Sequence, residues 1–245
     1  MTQYVAKKMK RLMGKAIHEH QMTEHGDHIL VSVSGGKDSM SLLWLLRERI
    51  KRIPIKYSIT AVHVDPGFGS DSGSMMKAFF IKHGFDHEII KSDCGPRAHS
   101  PDNLENPCFL CSMLRRKAIF KLASKLKCNK IAFGHHKDDW IETFFLNIFF
   151  SGSISTMMPV QEFFGGDITV IRPFYMIDER TIEKYAESMG FPRIDLGCPT
   201  SGSSKRADIK KILNSLYRTN RKIKGNIFHA IQNIRSETRP IPPQV

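Results

Sequence analysis

Apolar residues at Val5, Met9, Leu12, Ala16 and Ile17 share one face of a helix over about residues 4–21, with Lys7, Lys8, Lys10, Arg11 and Lys15 elsewhere on it. The period then changes. Residues 28–33, His-Ile-Leu-Val-Ser-Val, read as a buried strand broken at Ser34-Gly35-Gly36, and the helix behind it carries Leu42, Leu43, Leu45 and Leu46. A second apolar run at 59–64 stops at Asp65-Pro66-Gly67, and a helix around 72–84 leads to a third run near 86–90. The alternation continues with a helix over 109–127, a strand at 130–134 and a helix from about 139 to 150. Strands separated by helices of about 10 to 15 residues predict right-handed parallel crossovers, and so a doubly wound, mainly parallel α/β sheet covered on both faces. Ligands of such sheets bind beyond the carboxyl ends of strands, which here means after Val33, Val64 and Phe133.

Beyond about residue 175 the pattern is helical, near 178–189, 205–217 and 224–234, and rich in Lys and Arg, so the sheet carries a basic helical C-terminal extension. The last stretch, 236–245, holds three prolines and reads as a flexible tail. No internal repeat is present.

Composition narrows the partners. The chain has 245 residues, 41% hydrophobic and 25% charged, which excludes a disordered chain and a coiled coil. Its formal net charge of +13 points to a polyanionic partner, beside the plainer reading that the excess serves solubility. The positive charge is spread along the chain, there is no run of 18 apolar residues, and no apolar segment follows the first basic residues; the expectation is a cytoplasmic protein without a membrane partner. Five cysteines, an odd number, argue against a disulfide framework and leave thiols for metal or sulfur chemistry.

Ser34-Gly35-Gly36-Lys37-Asp38-Ser39 lies between a strand and a helix, the setting of a phosphate-binding loop. Glycines let backbone N–H groups converge on an anion, the helix N-terminus adds positive potential, and Lys37, Ser34 and Ser39 supply further donors. A carboxylate at Asp38 would repel phosphates unless a cation intervenes, so Mg²⁺ held by Asp38 is the expected resolution. The spacing is not that of a Walker loop. A Gly turn with a Ser or Asp helix cap would account for parts of the hexapeptide, not for the whole.

Cys108 and Cys111 stand three residues apart at the start of a predicted helix, on one face, where the helix N-terminus, Arg115 and Arg116 favour thiolates. The spacing alone fits zinc, a redox dithiol or an iron–sulfur cluster. Cys198 is the other cysteine in a turn-like downstream setting. Cys128, ending a helix, reads as a buried small hydrophobe, and Cys94, in a Gly-Pro loop, is left out of the site as well. His135 and His136 are adjacent, and neighbours on a strand point to opposite faces, so they would not bind one metal together.

Three stretches in order resemble one family. Residues 34–39 are similar to the SGGxDS signature of the PP-loop ATP pyrophosphatase superfamily, whose fold is the adenine nucleotide alpha hydrolase-like sheet. Gly134-His-His-Lys-Asp-Asp139 with Glu142-Thr143 resembles its GHxxDD segment, and Cys108-Phe-Leu-Cys111-Ser-Met-Leu-Arg-Arg116 resembles the C-x-x-C-x-x-x-R-R segment of tRNA 2-thiocytidine synthetases. The resemblance covers about residues 5–235, including Ile171-Arg-Pro-Phe174 and Gly190-Phe-Pro192. It implies an enzyme in which Mg-ATP adenylates the C2 oxygen of a cytidine in the tRNA anticodon loop and sulfur displaces AMP. It further implies ATP phosphates on residues 34–39, adenine near His63, Val64 and Asp65, and close approach of the nucleotide at Gly134. At least one of Asp138 and Asp139 would serve Mg²⁺ or the target base, alongside a capping role at the helix start. Cys108, Cys111 and Cys198 would hold a [4Fe–4S] cluster whose open iron carries the sulfur. The chain departs from the family in one place: a second C-x-x-C is replaced by Cys198-Pro-Thr200-Ser201.

The implied partners are tRNA, a sulfur donor of the cysteine desulfurase type, and a second copy in a homodimer. The organisation expected is a basic amphipathic helix at 1–24, a PP-loop nucleotide-binding domain with the C-x-x-C insertion at 25–177, a basic helical region at 178–235 and the tail at 236–245. Lys205, Arg206, Lys210, Lys211, Arg218, Arg221, Lys222 and Lys224, with the basic residues near the start, supply charge that would track phosphates without reading bases. The rival readings are a related PP-loop thiolase of another tRNA base and a zinc-holding nucleotide- or RNA-binding module without catalysis.

Overall fold

A computed structural model of the chain describes residues 2–192, 194–200, 202 and 204–234; the expected tail at 236–245 lies outside the described residues. In chain order the elements are α1 (Thr2–Glu19), β1 (His28–Ser32), α2 (Lys37–Ile50), β2 (Ser58–Asp65), α3 (Ser72–Lys82), β3 (His87–Lys91), α4 (Cys94–Ala98), α5 (Pro107–Lys125), β4 (Lys130–Ala132), α6 (Lys137–Ser151), β5 (Val160–Phe163), β6 (Ile168–Ile171), α7 (Glu179–Met189), α8 (Lys205–Thr219) and α9 (Ile223–Gln232).

The six strands run in the order β3-β2-β1-β4-β6-β5. Five are parallel, and β5 joins the edge antiparallel to β6, with Val160 opposite Ile171 and Phe163 opposite Ile168. Successive crossovers run outward from β1 through β2 to β3, and the chain then returns to place β4 on the other side of β1. The loops after β1 and β4 therefore leave a crevice at the point where the winding reverses, which is where open α/β sheets bind ligands.

The described residues fall into two compact units, those within 2–137 and 158–200, and those within 138–157 and 202–234. The first holds the sheet. Leu30, Val62, Val64, Ile131, Ile168 and Val170 pack against Ile119 and Ala123 of α5 and against Cys128. Burial pushes the Cys128 thiol up to about 11, so it behaves as the small apolar group that its position suggests. The helix α2 buries Leu42, Leu43, Leu45 and Leu46 and packs, like α1, against α7, whose Ile182, Tyr185 and Ala186 are buried. The second unit contains α8, α9 and all of α6 beyond Lys137. Trp140 is its centre: the indole donates to the Met157 carbonyl and its ring lies 5.1 Å from that of Phe228. Among the described residues no helix is long and apolar enough to cross a membrane.

Candidate functional site

The chain leaves β1 into residues 34–39, where Gly35 adopts φ +87°, a left-handed conformation that L side chains rarely take. A Cβ there would also meet Cβ of Ile194 at 2.7 Å. The loop is braced from within. The Ser34 amide donates to Oγ of Ser39 at 3.1 Å, Oγ of Ser39 donates to the Gly36 carbonyl at 3.0 Å, and the two hydroxyls lie 3.2 Å apart. Helix α2 starts at Lys37, so its first-turn amides and positive end face the same loop. Gly134, after β4, is needed for contact: a Cβ would stand 3.1 Å from the Asp38 carbonyl carbon and from the Ser39 amide nitrogen.

Asp38 occupies the first turn of α2, with one carboxylate oxygen 3.7 Å from Nζ of Lys37 and the other 3.8 Å from Nε2 of the buried His136. Nζ of Lys37 donates to Glu179 of α7 at 3.0 Å. Burial works against the Lys37 charge, but Asp38 and then Glu179 outweigh it and hold the ammonium above its ordinary pKa. A cleft of ≈ 550 Å³ opens beside Gly35, Gly36 and Lys37, walled by Glu183, Gly190 and Phe191. Its chemistry suits a phosphate chain with a cation: converging amides and a lysine on one side, carboxylates on the other.

The strand ends contribute unequally. His63 is completely buried, its Nδ1 bonded to the Val33 carbonyl at 2.8 Å, and Val64 is buried too, so at these two positions the main chain rather than the side chain is what a nucleotide would meet. Asp65 accepts from the Gly67 amide at 3.0 Å. His135 packs its ring against Phe133, whereas His136 turns towards Asp38; the two do not converge.

The thiols collect on the same edge of the sheet. Asn106 caps α5 by accepting from the Cys108 and Phe109 amides, which fixes Cys108 in the first turn and Cys111 one turn later. Sγ of Cys108 and Sγ of Cys198 lie 3.8 and 3.5 Å from the same hydroxyl, Oγ1 of Thr200, which also meets Nε2 of His99 at 3.1 Å. Cys94, which the sequence offers only as a loop residue, stands 3.9 Å from Cys111, sulfur to sulfur, and 3.9 Å from the Pro66 carbonyl at the end of β2. The hydrogen bond from Cys111 draws Cys94 down to about 6 and Cys111 correspondingly up, and the Arg115 guanidinium favours a thiolate at both. Four of the five cysteines thus belong to one neighbourhood. Among the described residues no group of three or more His, Cys, Asp or Glu is already gathered around a point that would hold a metal ion. The donor set nevertheless fits a thiophilic metal or cluster by its chemistry, since it is sulfur-rich, partly accessible and beside a guanidinium.

Asp138 and Asp139 open the second unit, each against a cation. Asp138 meets Nζ of Lys224 at 2.5 Å, and Asp139 meets Nη1 of Arg206 at 3.1 Å. Arg206 also reaches Glu142 at 3.7 Å and donates to Thr143 at 3.0 Å. Sequence spacing distinguishes neither Arg206 nor Lys224 from the other members of the basic run. Burial, then repulsion from Asp139, raises Glu142 to about 7, against the attraction of Arg206 and Lys210. The folded chain holds a proton that the unfolded chain releases near 4.5, so this contribution to stability is full below pH 4.5 and lost as pH rises through 7. Glu142→Gln is therefore expected to gain roughly 1–3 kcal/mol on the wild type between acid and neutral pH in denaturant titrations. Parallel stability curves would show that Glu142 is ionised throughout.

Comparison with known proteins gives a consistent picture. The family described as PP-loop domain matches residues 1–195. The tRNA-cytidine(32) 2-sulfurtransferase of Syntrophotalea carbinolica is 36% identical over 231 residues, covering 93% of this chain and 89% of the relative. The protein of the same name from Idiomarina loihiensis is 39% identical over 236 residues, covering 93% and 77%. Among solved structures, the U34-tRNA thiolase NcsA from Methanococcus maripaludis with its [4Fe-4S] cluster superposes with TM-score 0.78 at 23% identity, covering 96% of this chain and 81% of that one, a likeness of fold.

Proposed function

The chain belongs to the PP-loop domain family, and from that premise we propose that it is an ATP-dependent tRNA sulfurtransferase that replaces the C2 oxygen of a cytidine in the anticodon loop with sulfur. The observation that carries this reading is the placement of the candidate phosphate loop and the thiol group on one edge of one sheet: residues 34–39 follow β1, Cys94 adjoins Pro66 just after β2, and Cys111 adjoins Cys94. Activation and sulfur delivery then share one site.

Residues 34–39 take the ATP phosphates through the loop amides, Ser34, Ser39 and Lys37. The cytidine C2 oxygen attacks the α-phosphorus, a P–O bond breaks and pyrophosphate leaves; sulfur then adds at C2 and AMP departs with the original oxygen. Adenylation converts a poor leaving group into a good one. Asp38 would hold Mg²⁺, which neutralises phosphate charge when bound. Cys108, Cys111 and Cys198 would hold a [4Fe–4S] cluster, which supplies a coordination position for sulfur. Asp138 and Asp139, each matched by a cation, would position the target nucleotide. The sulfur comes from a donor of the cysteine desulfurase type, its persulfide reduced by an external thiol, which is oxidised to a disulfide, to the sulfide level at which it adds, and the compartment is the cytoplasm.

Between Ser204 and Ile234 there are eight Lys or Arg and one Asp, a charge suited to the tRNA backbone. Raising salt from about 50 to 200 mM should weaken tRNA binding by roughly 10³-fold or more if six or so phosphates are contacted. The direct test of the reading is pyrophosphate release from ATP. It should depend on tRNA lacking the thiolated base, and release that ignores tRNA would reject a tRNA substrate.

A further inference from the structure

The fourth thiol of the group has no part in the reaction just described. Sγ of Cys94 lies 3.9 Å from Sγ of Cys111, in contact and within about 2 Å of the bonding distance of about 2.05 Å. Accessibility divides their roles. Cys94 is completely buried beneath Pro66, Cys111 is half-buried, and so an oxidant from solvent meets Cys111 first. Cys108 faces Thr200 rather than Cys94.

We propose that Cys94 and Cys111 form a reversible disulfide in the metal-free chain, with Cys94 as the resolving thiol. With glutathione disulfide as oxidant, Cys111 passes its proton to the Cys94 sulfur to which it is hydrogen-bonded and attacks one glutathione sulfur, the S–S bond breaks and one glutathione leaves and is protonated to the thiol. Cys94 sulfur then attacks the Cys111 sulfur of the mixed disulfide and releases the second glutathione. The two cysteines together lose two electrons and two protons, and one glutathione disulfide becomes two glutathione thiols. The bond rests on geometry alone. Its consequence rests on the proposed cluster reading: the oxidised chain lacks the Cys111 ligand, while Cys111 is kept from irreversible oxidation until a reductant restores it.

The test exposes the full-length chain, stripped of iron by a chelator, to glutathione disulfide and maps its tryptic peptides. Cys94 lies in peptide 92–97 and Cys111 in peptide 98–115 together with Cys108. The expected result is a cross-link of the two peptides that fragmentation places at Cys111 and that dithiothreitol releases. In Cys94→Ser and Cys94→Ala, Cys111 should instead carry glutathione. Peptide 98–115 lighter by two hydrogen atoms and unlinked would mean a Cys108–Cys111 bond and overturn the proposal, as would a Cys111 that reacts identically in wild type and both variants. Reconstitution with iron and sulfide before and after dithiothreitol separates the two ideas. A cross-linked chain that binds iron in neither form leaves the disulfide standing and removes the cluster.

Discussion

Asp38→Asn is expected to lower tRNA-dependent pyrophosphate release by roughly 100- to 1000-fold, the scale of losing one charge-stabilising group from a preorganised site. The substitution keeps the side chain's shape and its place in the first turn of α2, and removes only the charge. That charge lies 3.7 Å from Lys37 and 3.8 Å from His136, beside the loop proposed to receive the ATP phosphates. A carboxylate there is unfavourable to a triphosphate on its own and becomes useful once a divalent cation lies between them. If Asp38 only favours the helix N-terminus, Asp38→Asn would instead cost about 0.3–1 kcal/mol of stability and leave the rate within a few fold. Thermal unfolding and pyrophosphate release measured on the same preparation distinguish the two outcomes.

Cys111→Ser should give the opposite dissociation. Thiolated product should fall below detection while pyrophosphate release dependent on tRNA persists within a few fold, because the serine leaves residues 34–39 untouched and replaces a soft sulfur donor by a hard oxygen. Cys108→Ser is expected to behave in the same way. Cys128→Ser provides the comparison: that thiol packs among Leu30, Ile119 and Ile131, so its loss would be felt in stability rather than in sulfur transfer. Loss of both half-reactions in Cys111→Ser would mean that the thiols serve activation as well as sulfur delivery.

The fold was readable where periodicity was strong. The apolar runs at 28–33 and 59–64 and the leucines of α2 mark a parallel sheet with covering helices, and those elements appear as β1, β2 and α2. The edge hairpin was not readable. Residues 160–163, Val-Gln-Glu-Phe, form a four-residue strand whose two central side chains are exposed, so it carries little apolar signal. The short helix α4 escaped for a related reason: five residues, Cys-Gly-Pro-Arg-Ala, include two helix breakers and are held by tertiary contacts, among them the Gly95 amide on the Pro66 carbonyl. The same short helix carries Cys94, which stands against Cys111.

The site divides along similar lines. The candidate phosphate loop stands out in the sequence because its chemistry is local: glycines, a lysine and hydroxyls within six consecutive positions suffice to propose it. The partners of its charges were not, because Glu179, His136 and Lys37 are far apart in sequence and meet only through the sheet. The pairing of Asp138 with Lys224 and of Asp139 with Arg206 spans 86 and 67 residues, and a basic run gives no sign of which of its members will be used. Cys94 illustrates the limit of reading a residue by its neighbours in sequence: a loop cysteine looks inert until the fold supplies a second sulfur.

The central claim is that this chain thiolates a tRNA cytidine by consuming ATP at residues 34–39. The most direct measurement is mass spectrometry of nucleosides from tRNA of cells with and without the gene. The account predicts that 2-thiocytidine disappears without it and returns with the wild type but not with Asp38→Asn or Cys111→Ser. A level of 2-thiocytidine unchanged by loss of the gene would contradict it.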